Sequence, residues 1–189
     1  MLQPGQKVMY GNYGVCQVTE VDAQMEGIEN HRYYILESNS DRKGRVFLPM
    51  DHEELVRPLM TREEVLALID NSDSIEVDQF RDSNQRCMED HFKKLLKTKD
   101  QACALQVAKT MHIRIKEQTD RGASPSSTYM RLLDLAEQQI EGEFAEVLDI
   151  PRDEVRAFIA DRVQTACNHR NESSAPSARS HYAGKRRTR

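Results

Sequence analysis

Residues 4–18 read PGQKVMYGNYGVCQV, and this stretch decides the N-terminal fold. Val8 and Tyr10 lie two residues apart, as do Cys16 and Val18, and a period of two is typical of half-buried strands. The GNYG segment between the two pairs is rich in residues that tolerate positive φ. The stretch therefore predicts a strand, a tight loop and a second strand.

Further strand patterns follow within the first sixty residues. Segments 32–38 and 45–49 combine aromatic and β-branched residues, and charged turns that contain glycine separate them. Leu55 and Val56 are the candidates for a closing strand. Four or five short strands in so few residues predict a small twisted barrel of the SH3 or Tudor kind.

The segment from Val46 to Pro49 resembles an edge strand. Phe47 lies between Val46 and Leu48, so the pleat of a strand points its side chain to the face opposite theirs. Pro49 has no N–H group and marks an edge or an end. An edge strand with an outward apolar residue invites strand addition from another chain, and the alternative is that Phe47 is one more core residue. Core packing and a rim that faces a partner are also the two alternatives for Tyr10, Tyr13, Tyr33 and Tyr34.

From Thr61 onward the apolar residues follow a helical period. Thr61 and Glu64 form a capping box ahead of a short helix over 62–70, and acidic polar residues then continue as a linker to 78. Four longer helices are predicted near 79–98, near 101–120, from Pro125 to Leu148, and near 152–165. Their proposed limits are an Asp100 cap, a left-handed Gly122, Ser124-Pro125 as cap and first residue, and Pro151.

The composition narrows the class of protein. The chain has 189 residues, of which 38% are hydrophobic and 31% charged, and this suits one ordinary domain or two small ones. No apolar run is long enough to span a bilayer, and the first residues do not form a signal peptide pattern. We therefore expect a cytoplasmic protein with no membrane partner.

Charge is segregated along the chain, although the net charge is only −4. Residues 79–121 carry ten basic and six acidic side chains, whereas 122–167 carry four and nine. Residues 168–189 carry six basic and one acidic side chain without any core pattern, and they are predicted to be a disordered basic tail. The 79–121 segment is therefore the candidate for nucleic-acid contact.

Catalytic and metal-binding motifs are missing from the sequence. The four cysteines and six histidines are dispersed with no CxxC pair, so we expect free thiols, no zinc site and no cofactor. No P-loop, HExxH or GxSxG motif occurs. We therefore do not expect an enzyme.

The order of these features resembles the CarD/CdnL family of bacterial transcription regulators. The N-terminal pattern Pro-Gly-x-x-Val-x-Tyr-x-x-x-Gly-Val, the Tyr-Tyr-Ile-Leu strand and the Val-Phe-Leu-Pro-Met segment carry the resemblance. The same module is the RNA-polymerase-interacting domain of the transcription-repair coupling factor. The resemblance covers roughly residues 1–165, because the Leu96–Asp100 turn, Arg121-Gly122 and Leu148–Ile150 also fit.

The resemblance implies a Tudor-like module over residues 1–60 that binds the N-terminal lobe of the RNA polymerase β subunit by strand addition. The residues that this places at the polymerase are Ile35, Val46, Phe47 and Pro49. The fold class expected is α+β, with the small barrel, a short helix and acidic linker over 61–78, a helical domain of about four helices over 79–167, and the tail over 168–189.

The resemblance also implies that the helical domain contacts promoter DNA just upstream of the melted region. In that family a tryptophan wedges into the minor groove there, with arginines beside it. The wedge position falls on Gln85 in this sequence, which contains no tryptophan, and Phe80, about one helical turn upstream, is the candidate substitute. The residues expected at the DNA are Arg81, Gln85, Arg86, Lys93, Lys94, Lys97 and Lys99.

Two functions from different classes are compatible with these features. The first is a CarD-like regulator that docks on the polymerase and modulates the stability of the open promoter complex. The alternative is a protein–protein adaptor, bound to polymerase or another partner, without the DNA wedge. The missing tryptophan and the acidic balance of residues 122–167 favour the adaptor.

Overall fold

The N-terminal part of the computed structural model is an antiparallel sheet of five strands. The structure describes residues 1–24, 31–38, 44–98 and 100–173. The strand order across the sheet is β4-β3-β2-β1-β5. The strands are β1 (Lys7–Tyr10), β2 (Gly14–Gln24), β3 (Arg32–Ser38), β4 (Arg45–Pro49) and β5 (Arg57–Pro58).

The predicted strand, tight loop and second strand are confirmed at the start of the chain. A single 3-10 turn, Gly11–Tyr13, joins β1 to β2 and pairs Tyr10 with Gly14. Gly11 and Gly14 have φ values of 38° and 72°, in a region that favours glycine. The glycines therefore allow the chain to reverse within three residues.

The predicted Tudor-like barrel is not confirmed, because the sheet does not close. Within the described residues β4 pairs with β3 and β5 pairs with β1, but β4 and β5 do not pair with each other. The last strand also lies slightly later than Leu55 and Val56, since Met50–Leu55 forms 3-10 turns. Pro58 cannot donate a ladder hydrogen bond, and β5 is only two residues long.

The predicted α+β class is confirmed, with five α-helices among the described residues that follow the sheet. Three further 3-10 segments lie at Met50–Leu55, Ser72–Ser74 and Arg152–Glu154. The helices are α1 (Arg62–Asp70), α2 (Gln85–Lys97), α3 (Gln101–Asp120), α4 (Ser127–Leu148) and α5 (Val155–Ser173).

Local capping explains the helix starts that the sequence located well. Thr61 and Glu64 form the expected reciprocal capping box at the start of α1. Asp100 accepts a hydrogen bond from the Ala102 N–H at the start of α3, and Gly122 follows its end with φ 74°.

Three helix limits differ from the prediction. Helix α2 begins at Gln85 rather than near 79, because Asp78, Asp82 and Asn84 each accept a hydrogen bond from the N–H two residues ahead and hold the backbone in turns. Helix α4 begins after Ser126, so Ser124-Pro125 lies outside it. Helix α5 runs to Ser173, past the expected end near 165 and into the segment assigned to the tail, while 174–189 lie outside the described residues.

Two apolar cores lie side by side. One covers the inner face of the sheet, and its centre includes Val18, Tyr34 and Leu48. The other lies among the helices, and Val65 and Ile69 of α1 are part of it. The short helix of the predicted linker therefore packs with the helical domain.

A buried ion pair joins the sheet to the helices. The Glu143 carboxylate on α4 has no exposed surface, and both its oxygens accept hydrogen bonds from the Arg57 guanidinium on β5 at 2.6 Å. The Met60 N–H donates to the same carboxylate at 2.9 Å, and the Gln101 amide at the start of α3 donates from the other side. This group of four residues is called the Glu143 clasp below.

We expect Arg57→Ala to lower the free energy of unfolding by about 3–5 kcal/mol, because it leaves the Glu143 carboxylate buried without a cation. The measurement is urea unfolding of the full chain. The control is Arg32→Ala, which removes an exposed arginine paired with Asp22 and should cost at most about 1 kcal/mol. Equal losses in the two variants would contradict the role given to the clasp.

Candidate functional site

Strand β4 forms one edge of the sheet. It pairs with β3 in a register that places Phe47 opposite Ile35 and Pro49 opposite Tyr33. No other strand of the described residues lies on its far side. Its outward N–H and C=O groups can therefore pair with an added strand.

The outer face of this edge is apolar. Phe47 is 40% exposed, whereas its neighbour Leu48 is fully buried, so Phe47 lies on the face opposite the core as the pleat requires. The Tyr33 ring packs edge-on against the Phe47 ring with centroids 6.5 Å apart, and Ile35 is half-buried beside them. Tyr33, Ile35, Phe47 and Pro49 are called the outer patch below.

Val46 is the one residue of the predicted polymerase set that faces the other way. It is half-buried and packs against the core of the sheet. Its side chain therefore supports the edge from the inner face and does not belong to the outer patch.

The opposite edge of the sheet offers little backbone for pairing. Strand β5 has two residues, one of which is Pro58 and has no N–H group, and the Arg57 side chain is held by the Glu143 clasp. Within the described residues, β4 is thus the edge open to a partner.

The four tyrosines divide between the two alternatives drawn from the sequence. Tyr34 is fully buried, and burial raises the pKa of its hydroxyl, which donates a hydrogen bond to Glu53 and holds the pKa of that carboxyl below its usual value. Tyr33 belongs to the outer patch. The rings of Tyr10 and Tyr13 contact each other in a tilted arrangement near the β1–β2 turn, with centroids 5.2 Å apart, and Tyr13 is half exposed.

The structure does not gather the predicted DNA-contacting residues into one patch. Gln85 and Arg86 lie exposed at the start of α2, whereas Lys94 and Lys97 are exposed in its last turns, roughly 12–18 Å away along the axis. Lys99 lies outside the described residues.

Two of the other predicted cations are paired with carboxylates. Lys93 contacts Glu89 at 2.9 Å, and Glu89 also pairs with Arg131. Arg81, in the extended segment before α2, contacts Glu117 at 3.4 Å. These acidic partners reduce the positive potential that the sequence assigned to residues 79–121.

A pocket of about 270 Å³ lies where α2 and α4 begin and α3 ends. Gln85 lines it, so the position that the resemblance assigns to the wedge lies at a concave surface. Sequence reasoning did not identify this pocket, because its walls come from three segments distant in the chain. The lining residues are Asp82, Ser83, Gln85, Met88, Gln118, Ser126, Thr128 and Tyr129.

A buried polar network lies behind this end of the helical domain. Arg114 is almost fully buried, donates to the carbonyl oxygens of Asp78 and Phe80, and lies over the Phe92 ring at 5.1 Å. The Phe80 ring stacks on His91 with centroids 4.0 Å apart. Phe80 is therefore held in the domain and is not placed as a substitute wedge.

The Asp78 carboxylate links the members of this network. It accepts hydrogen bonds from His91 at 2.8 Å and from the Phe80 N–H at 2.7 Å. Burial alone would raise the pKa of this carboxyl, but these hydrogen bonds and the nearby Arg114 charge outweigh it and lower the pKa.

Residues 2–60 match the family model described as the CarD-like/TRCF RID domain. The chain carries a CarD-like RNA-polymerase-interacting domain. The match confirms the family resemblance of the sheet, and it ends before α1, so it does not extend to the helices. A search of curated proteins found no match to the chain.

In the part of the chain that the structure describes, we searched for a metal site and for a membrane-spanning helix and found neither. No cluster of His, Cys, Asp or Glu side chains there is arranged to hold a metal ion. None of the helices there combines the length and the apolar character that a membrane crossing needs.

We expect Asp78→Asn to lower the free energy of unfolding by about 1–3 kcal/mol at neutral pH, since it weakens charge-assisted hydrogen bonds next to buried Arg114. The pKa of Asp78 is lower in the folded chain than its ordinary value of 3.8. The stabilisation by this carboxylate is therefore complete above pH 3.8 and is lost as the pH falls through the folded pKa. The difference from the parent chain should therefore shrink in acid. Urea unfolding at neutral pH and near pH 3 measures it.

The control for this series is Asp161→Asn, because Asp161 is exposed on α5. It should change stability by no more than about 0.5 kcal/mol. A difference between Asp78→Asn and the parent chain that stays constant with pH would show that the carboxylate charge is not what stabilises the network.

Proposed function

We propose that the protein is a CarD-like transcription regulator that docks on the N-terminal lobe of the RNA polymerase β subunit through β4. The observation that carries the proposal is the open β4 edge with its outer patch, within a domain that matches the RNA-polymerase-interacting family. In this proposal the sheet is the Tudor-like module of that family, and the protein acts by binding, without a catalytic step.

The physical basis of docking is strand addition. Backbone groups of an incoming strand pair with β4, and main-chain hydrogen bonds supply affinity without selecting side chains. Phe47 and Tyr33 supply selectivity, since aromatic residues in partly exposed patches contribute a large share of interface free energy. The β5 edge has two residues and includes Pro58, which supports docking through β4 rather than through β5.

The second part of the proposal places the helical domain beside promoter DNA upstream of the melted region. Arg86, Lys94 and Lys97 are exposed and are offered to phosphates. Any contact that is stronger in the open promoter complex than in the closed one shifts the equilibrium between them. The protein would therefore act on open-complex stability through differential binding.

An adaptor without DNA contact is the second candidate function. Two observations favour it: Glu89 and Glu117 pair with cations of the proposed DNA surface, and Gln85 cannot wedge a base step. In that case the CarD-like domain would bind polymerase or another partner, and the acidic helical face of residues 122–167 would recruit another protein.

The docking experiment measures binding of the full chain to the isolated N-terminal lobe of a bacterial β subunit. Phe47→Arg should weaken binding at least about tenfold, because it places a charge at the centre of the proposed interface. Ile113→Arg is the matched control, since Ile113 is an apolar residue of similar exposure, 37%, on α3. Equal affinities of the two variants, or no binding by the parent chain, would overturn docking through β4.

The DNA experiment measures affinity for forked promoter DNA against salt, together with open-complex lifetime. About four phosphate contacts predict that log affinity falls with log salt with a slope near −3.6. Adding the protein should change open-complex lifetime about fivefold or more, and Phe47→Arg should abolish the change. No DNA affinity at low salt would favour the adaptor, and an unchanged lifetime would overturn the regulatory role.

A further inference from the structure

The main-chain groups of β4 alternate between β3 and the open side of the strand. In an antiparallel ladder, opposed residues alternate between pairs that exchange hydrogen bonds and pairs that do not. The Ser38 N–H donates to the Gly44 carbonyl oxygen at 3.4 Å, and Gly44 directly precedes β4 in the register that pairs Glu37 with Arg45. Ser38 and Gly44 are thus a hydrogen-bonded pair, and the next pair, Glu37 and Arg45, is not one.

This alternation assigns the rest of the strand. Val46 and Leu48 exchange hydrogen bonds with β3, whereas the main-chain groups of Arg45, Phe47 and Pro49 point to the open side. Pro49 has no N–H group, and it occupies a position where β3 needs none. The open side therefore offers the N–H groups of Arg45 and Phe47 and the carbonyl oxygens of all three residues.

The other side of β3 supports the same assignment. Ile35 is opposite Phe47, so its main-chain groups should point away from β4 and toward β2. Its carbonyl oxygen accepts a hydrogen bond from the hydroxyl of Thr19, which lies on β2, at 3.1 Å. Hydrogen bonds on the two sides of β3 thus agree on which groups of β4 are turned outward.

The residues with outward main-chain groups also carry the side chains of the outer face. Phe47 and Pro49 belong to the outer patch, and Arg45, two residues before Phe47, lies on the same face. A residue of an added strand that lies beside Phe47 shares this face, whichever direction the strand runs. An added strand therefore meets Phe47 and Arg45 with two side chains that are two positions apart.

The outer patch is the uncovered part of a face that is otherwise buried. Met9 and Val15 oppose each other on this face and are 0% and 4% exposed. Arg57, opposite Met9, reaches Glu143 on α4, so the helical domain covers this half of the face. On the β4 side Phe47 is still 40% exposed, and an apolar side chain beside it would continue the burial of the face.

Arg45 adds a charge at the end of this apolar surface. Its side chain is 70% exposed, and its Nε atom lies 3.7 Å from the Glu37 carboxylate, which is beyond hydrogen-bond distance. An exposed pair of this kind contributes little, so the guanidinium group can donate to a second carboxylate at the open edge. Glu37 is on β3, one strand further from that edge, so Arg45 is the nearer charge for a partner strand.

From these positions we infer that β4 selects an extended partner segment with an apolar residue beside Phe47 and an acidic residue, two positions away, beside Arg45. The inference rests on the docking part of the proposed function and states what the docked segment of the polymerase lobe must carry. Main-chain hydrogen bonds hold an extended segment of any sequence, so the two side chains supply the selectivity. Arg45 is thus a specificity residue that lies outside the outer patch.

Amide hydrogen exchange tests the main-chain assignment residue by residue. In the free full chain, the Val46 and Leu48 amides should exchange more slowly than those of Arg45 and Phe47. A saturating concentration of the isolated N-terminal lobe of a bacterial β subunit should slow the Arg45 and Phe47 amides at least about tenfold, because they then donate to the added strand. NMR on isotope-labelled protein measures the exchange rates.

Charge substitutions test the acidic partner residue. Arg45→Glu should weaken binding to the same lobe about tenfold at low salt, because like charges then face each other, and the deficit should shrink as salt screens them. Arg45→Gln, which adds no repulsion toward Glu37, should show a smaller deficit of the same sign. Arg121→Glu, an equal change of charge at an exposed position of the helical domain, should bind like the parent chain.

An uncharged substitution tests the apolar partner residue. Phe47→Gln should weaken binding about fivefold, because it removes apolar area from the interface, and this deficit should not shrink with added salt. Binding of Phe47→Gln at the parent affinity would overturn the apolar residue of the inferred pattern.

The remaining failures are distinguishable. Faster exchange at Val46 and Leu48 than at Arg45 and Phe47 in the free chain, or no protection of the latter two in a lobe complex, would overturn the main-chain assignment. Equal affinities of Arg45→Glu and Arg121→Glu, or a deficit that does not change with salt, would overturn the acidic residue. These results leave docking standing where Phe47→Arg still weakens binding, whereas no binding by the parent chain would overturn docking and this inference together.

Discussion

The arrangement of the protein depends on the Glu143 carboxylate, which is fully buried and accepts hydrogen bonds from three separate parts of the chain. Arg57 reaches it from the sheet, the Met60 N–H from the connection, and Gln101 from the start of α3. A buried carboxylate is tolerated only where such donors stabilise its charge. Sheet, connection and helices must therefore keep one relative position if this group is to remain satisfied.

This constraint also assigns different roles to the two edges of the sheet. Strand β5 carries Arg57 of the clasp, has only two residues and includes Pro58, so it offers little backbone to another strand. Strand β4 lies at the far side of the sheet, and no other strand of the described residues pairs with its outer side. The edge that carries the clasp and the edge left for a partner are therefore different edges.

Much of the fold could be predicted because its signals are local. The alternation around Val8, the capping box at Thr61 and the cap at Asp100 each depend on residues within a few positions of one another. The outward position of Phe47 followed from the pleat alone. Local signals also competed, however: the side-chain turns at Asp78, Asp82 and Asn84 delayed the start of α2, although apolar spacing had suggested helix from 79.

The remaining features could not be predicted because they depend on contacts between residues that are far apart in the sequence. Glu143 and Arg114 occupy apolar-stripe positions of α4 and α3, beside Phe144 and Met111. A charged residue within such a stripe is the one signal that the sequence offered, but it does not identify the partner. Closure of the sheet and the pocket at Gln85 likewise depend on how separate segments meet, and the apolar period does not report that.

Helix α4 holds the Glu143 clasp and the first turn of the helix at a fixed distance from each other. Glu143 lies near its C-terminal end and Thr128 in its first turn, fifteen residues or roughly 22 Å apart along the axis. The helix fixes this distance and also fixes the angle between the two side chains about its axis, since successive residues are rotated about that axis by about 100°. Adding or removing one residue in α4 would thus reorient the far end by more than a quarter turn without altering any side chain at either end. The length of this helix therefore fixes how its first turn is oriented relative to the Glu143 clasp.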